Sequence, residues 1–193
     1  MCGIAGLIHR GKSSNVGSEL QQMLQALKHR GPDSTGYALY ADNDGKNFIM
    51  RFKVGENVGE GSTSVNEDAS VYDKRKKLVD QMLLDLSAKV VKDEQLTPYS
   101  FRYEMEYNGD LMEFSKKIES IDSVEILSIG KSLELIKDLG DAAAVSDRYG
   151  LGDVKGTHGI GHARMATESG VDIKSAHPFW GYPFSDVSVV HNG

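Results

Sequence analysis

The alternation of apolar and polar positions divides the chain into three stretches. In the first, Cys2–His9 (CGIAGLIH) is an apolar run and reads as a strand. Ser18–Lys28 places Leu20, Met23, Leu24 and Leu27 at helical spacing, with Ser18 as N-cap and Gln21 three residues on. His29–Gly36 (HRGPDSTG) is rich in turn formers, and Tyr37–Ala41 reads as a short strand. In the second stretch, Asp42–Lys46 (DNDGK) has the composition of a hairpin turn, and Phe48–Val54 alternates like a strand. Gly55–Glu67 reads as a flexible loop. Asp68–Val91 carries a helical pattern through Val71, Leu78, Met82, Leu83, Leu86 and Val90. Tyr99–Tyr107 alternates as a strand with an aromatic face. A helix over Asp110–Ile121, a strand over Val124–Ile129 and two short helices, Ser132–Leu139 and Asp141–Tyr149, complete a small α+β unit on or beside a larger fold. The third stretch starts at Gly156. Glycines in Thr157–Thr167 (THGIGHARMAT) break any helix, Ser169–Trp180 is a loop, and Asp186–His191 is a strand.

Composition narrows this picture. Of 193 residues, 39% are apolar, enough for a real core without metal or disulfide staples. The formal charge of −6 supplies no basic field for phosphates, which argues against a nucleic-acid partner. The apolar runs are too short to cross a membrane and the N-terminus lacks a signal-peptide pattern, so a cytoplasmic protein is expected. The last strand stops at Asn192–Gly193 without the usual polar tail, so the chain is expected to be incomplete at its C-terminus.

Four places carry possible chemistry. Cys2 is the single cysteine and directly follows Met1. Removal of Met1 would leave thiol and α-amine on one residue, and an unperturbed α-amine with a pKa of about 7.7–8.0 can take the thiol proton. The alternative is an ordinary buried thiol. In HRGPDSTG, Arg30 precedes Gly31–Pro32, a forced turn in which Gly31 lets backbone approach a ligand; a plain loop is the alternative. In GHARMATES, Arg164 can grip a carboxylate with its planar fork and Thr167 adds a hydroxyl; any one arginine can equally be a surface residue. In VVHNG, the Asn192 amide and the Gly193 N–H are two donors at one point, as in an oxyanion hole, although Asn-Gly is also the commonest hairpin signal.

Taken together, MCGIAG, HRGPDSTG, GHARMAT, AHPF and VVHNG, in this order, resemble the class II (N-terminal nucleophile) glutamine amidotransferases. The resemblance covers Met1–Leu39 and Lys155–Gly193. GTHGIGHARMATES is most similar to the amidotransferase part of glutamate synthases of the separate-subunit type, archaeal or N-methylglutamate synthase-like. The resemblance implies an α+β fold: the N-terminal-nucleophile (Ntn) hydrolase four-layer αββα sandwich, incomplete at the C-terminus, over residues 1–193, with 42–154 as a family-specific insertion. It implies Cys2 as nucleophile, Asn192 and Gly193 as oxyanion donors, Arg164 with Thr167 on the glutamine α-carboxylate, and Arg30 ordering the pocket. It also implies an aspartate after the HNG motif for the glutamine α-amine, a role with no residue to fill it here. No cofactor is expected in this chain; flavin and iron–sulfur groups belong to partner synthase subunits that receive ammonia. Two other readings compete. One is a metal-dependent hydrolase using His158, His162, His177 and His191, although no HExxH motif is present. The other is a non-catalytic module that keeps the fold and binds partners.

Overall fold

The computed structural model describes residues 2–31, 33–56, 68–165 and 175–192. Its strands are β1 (Gly3–Ile8), β2 (Ser34–Ala41), β3 (Phe48–Lys53), β4 (Lys89–Thr97), β5 (Ser100–Glu106), β6 (Glu125–Gly130), β7 (Leu133–Leu139), β8 (Gly156–Arg164), β9 (Phe179–Trp180) and β10 (Ser188–Val189). The helices are α1 (Val16–Ala26), α2 (Ala69–Asp85), α3 (Leu111–Glu119) and α4 (Ala142–Tyr149). A first antiparallel sheet has the order β1-β8-β2-β7, a second β4-β5-β3-β6, and β9 pairs with β10. The fold is therefore α+β with antiparallel sheets. Among the described residues no helix is long and apolar enough to cross a membrane.

The local reasons for the helices are visible in their ends and faces. Asn15, not Ser18, caps α1, its side chain accepting from the Ser18 N–H at 3.4 Å. Val16, Leu20 and Leu24 recur every four residues and are fully buried, each contributing about 1.5–3 kcal/mol. They meet Tyr37 and Leu39 of β2 and Val145 and Tyr149 of α4, so α1 and α4 share one core with the first sheet. Phe114 and Ile118 of α3 and Val79 and Leu83 of α2 share another with Phe52, Phe101 and Tyr103 of the second sheet. Between the sheets lie Ala38, Leu127, Leu133 and Leu135. The residues 42–154 supply the whole second sheet and also β7 and α4, which build onto the first.

Four local expectations change. DNDGK joins β2 to β3, but those strands lie in different sheets, so it closes no hairpin. The helix expected to run to Val91 ends at Asp85; the chain turns at Ser87 (φ 57°) and Lys89–Thr97 forms the edge strand β4. Ser132–Leu139 is β7 rather than a helix, paired with β2 from Ser34↔Leu139 to Tyr40↔Leu133. Asp186–His191 pairs only at Ser188 and Val189. As expected, the glycines of THGIGHAR lie in no helix: they sit in β8, which runs between β1 and β2. The loop expected over Gly55–Glu67 falls, from 57 to 67, outside the described residues.

Candidate functional site

Strand β8 explains how the site is laid out. Gly159, Gly161 and Ala163 alternate with His158, Ile160, His162 and Arg164. The small residues face α1: a Cβ on Gly161 would come within 2.5 Å of Leu24 Cδ1. Helix α1 can thus lie close on that side. The histidines and Arg164 take the opposite face, shared with Gly36 of β2 and Ile4 of β1, which stand level with His162.

Cys2 lies one residue before β1 and is partly exposed. The β1–β8 register ends at Gly3↔Ala163, so Cys2 and Arg164 are the next residues of the two chains at that end of the sheet. The loop after α1 is bound to the same end. The Asp33 N–H donates to the Arg164 carbonyl at 3.2 Å, and Ser34 pairs with Arg164. Gly31 lies on the Ala163–Arg164 peptide, where a Cβ would sit 2.4 Å from Arg164 C. Its close approach is therefore to protein backbone rather than to a ligand, and it brings Arg30, the last residue of a 3-10 turn over Lys28–Arg30, to this end of the sheet. From the far end of the chain, Asn192 donates through Nδ2 to the Cys2 carbonyl at 3.1 Å. The structure thus collects Cys2, Arg30, Arg164 and Asn192 at one end of the first sheet. Thr167 and Gly193 lie outside the described residues.

The histidines divide. His158 is at the other end of β8, stacked on Tyr40 with ring centroids 3.9 Å apart. His162, only 2% exposed, is 5.1 Å from His177, which is 6.4 Å from His191. Burial pushes the His162 pKa down, helped by His177 and Arg164, to about 4. Its Nδ1 is buried without a hydrogen-bond partner. Among the described residues, no group of three His, Cys, Asp or Glu side chains is arranged to hold a metal ion. The sequence drew notice to His162 and His177 only as metal-ligand candidates. What could have marked them is the strict small/large alternation of GIGHAR, which puts His162 on the face of Arg164.

A thiol one residue before β1, an amide that donates to its carbonyl, and an arginine at the end of the neighbouring strand are the kinds of group that acyl transfer from a carboxylate-bearing amide would use. Comparison with known proteins gives the class. Residues 1–51 match the glutamine amidotransferase domain family. Over its whole length the chain is 38% identical to 61% of a candidate glutamine amidotransferase of Methanothermobacter thermautotrophicus. It is 30% identical, again over its whole length, to 58% of a glutamine amidotransferase-like protein of Rhizobium meliloti. A shorter stretch, 43% of the chain, is 35% identical to 14% of the glutamine–fructose-6-phosphate aminotransferase (isomerizing) of Methanococcus maripaludis. These findings support a glutamine amidotransferase domain of class II. The chain spans about three-fifths of the length of the first two relatives.

Proposed function

We propose that this chain is the glutamine-hydrolysing part of an N-terminal-nucleophile amidotransferase of the αββα sandwich type, delivering ammonia to a partner synthase. The observation that carries the reading is the Asn192–Cys2 contact, which joins residues 190 positions apart, at the end of the β1–β8 pair where Arg164 also lies. In this mechanism Met1 is removed and the Cys2 α-amine takes the thiol proton. The Cys2 Sγ then attacks the side-chain carboxamide carbon of glutamine. An amide NH₂ has two N–H groups, so Asn192 can hold the Cys2 carbonyl with one and face the oxyanion with the other. The Gly193 N–H is the second oxyanion donor. Collapse breaks the C–N bond, the α-amine passes its proton to the leaving ammonia, and water hydrolyses the thioester to glutamate. Arg164 grips the substrate α-carboxylate with Thr167 beside it, and Arg30 orders the loop near Cys2.

The synthase is read as glutamate synthase-like, with the flavin and iron–sulfur chemistry in its own subunits, in the cytoplasm; residues 42–154 are read as the part peculiar to this family. The test is to treat the protein with a diazo-ketone analogue of glutamine and map the adduct by mass spectrometry. A chain beginning at Cys2, carrying one adduct on Cys2 that excess glutamine prevents, is the expected result. No adduct, or one elsewhere, makes the chain a non-catalytic interaction module instead.

A further inference from the structure

Asn192 is solvent-exposed, and the two residues of β10 are the last strand pairing before it. What stands behind it is a row of imidazoles. His177 lies between His162 of β8 and His191, the residue before Asn192, with rings tilted 54° and 56° to them. Phe179 meets the His177 ring edge-on at 4.5 Å. The position is built into the sheet: the His177 carbonyl sits where a Cβ on Gly36 would be, 2.0 Å away, so only glycine at 36 lets this segment down onto β2.

We propose that His177 is a positioning residue, the middle of a His162–His177–His191 row of tilted rings that holds the Asn192 arm over Cys2; this rests on the glutaminase reading above. The row works with His177 neutral. The groups facing His177 are His162 and Arg164 from β8, Lys137 from β7, and His191; Glu125 of β6 is engaged by Lys137 at 2.9 Å. Burial and then His191, Lys137 and Arg164 all disfavour a proton on His177. A proton placed there repels His191 and loosens the arm. Because an oxyanion donor acts on charge present only in the transition state, loosening it lowers kcat and leaves substrate binding nearly intact.

The test compares His177→Ala and His177→Phe with the wild type in steady-state glutaminase kinetics across pH, with thermal melts as the control for folding. His177→Ala is expected to lose about tenfold or more in kcat with KM for glutamine within about twofold. His177→Phe keeps an aromatic ring between His162 and His191, so it should recover most of kcat and fall off less steeply than the wild type on the acid side. If His177→Ala does not fold, His177→Phe and its pH profile decide. Wild-type kcat in His177→Ala, a parallel change of kcat and KM, or a His177→Phe as impaired as a poorly active His177→Ala or with an unchanged acid limb, overturns the inference. Those results in an enzyme whose Cys2 still labels and turns over leave the glutaminase reading standing. A wild type that neither labels nor hydrolyses glutamine removes both.

Discussion

The seam between the two sheets and the Cys2 end of the first sheet are held in opposite ways. At the seam, Glu134 of β7 is bound by Arg51 of β3 at 2.6 Å and by Arg102 of β5 through two bonds of 2.8 and 3.0 Å. Arg102 also reaches Glu94 at 2.7 Å. Nearby, Asp138 accepts from Tyr99 and Tyr149 at 2.6 and 2.9 Å and pairs with Arg148. Several charged bonds, buried or partly buried, fix how β7 meets the second sheet. At the Cys2 end, one 3.1 Å bond from an exposed side chain joins residue 192 to residue 2. The contrast teaches where rigidity is placed. Charges that close on one another set the relative position of the sheets, while a neutral amide–carbonyl bond joins the far end of the chain to Cys2.

The sharpest way to break this comparison is at Cys2. Cys2→Ala should lower glutaminase turnover by more than about a thousandfold, because nucleophile and proton acceptor act as one unit. Its melting transition should move little, since surface-accessible changes away from the core usually lie within about 0.5 kcal/mol. The reverse is expected at the seam. Glu134→Ala leaves Arg51 and Arg102 without their carboxylate and should destabilise the fold by about 3–5 kcal/mol in denaturant titration. Loss of under about 1 kcal/mol would mean that water fills the seam and the network is not a lock.

Asn192→Ala lies between these. It should cost about 10²–10³ in kcat with little change in stability or KM. A KM effect of the same size would make Asn192 a binding residue.

The most gradual effects expected are those of pH on stability. Burial alone would push the Glu134 carboxyl up, but Arg51 and Arg102 hold it at about 2. Its contribution is present above the unfolded carboxylate range and is lost only as pH falls toward 2. His162 acts earlier. With its folded pKa at about 4, the unfolded chain takes up this proton first, so stability falls as pH drops from about 6.5 to about 4, by at most about 1.4 kcal/mol per pH unit. His162→Asn should flatten that part of a stability-against-pH curve measured by urea unfolding. An unchanged slope assigns the loss to other groups.

Much of this protein was legible from residue order alone. The apolar run of β1, the Leu20/Leu24 stripe of α1, the aromatic face of β5 and the Asp110 and Asp141 starts of α3 and α4 are local patterns, and local sterics and capping decide them. The motifs around Cys2, Arg30, Arg164 and Asn192 were readable as separate pieces, and the structure places these residues at one end of the first sheet. Tertiary structure decided what local pattern cannot carry. SLELIKDL has good helix formers, yet pairing with β2 and burial along its whole length make it β7, and a strand covered on both faces shows no alternation to read. β4 was hidden for the opposite reason: as an edge strand exposed on both faces it has no apolar side, so its two valines looked like the end of a helix. The meeting of residue 192 with residue 2, and of Gly31 with the Ala163–Arg164 peptide, depends on strands that pair across more than a hundred residues, a closeness that no local window of sequence contains.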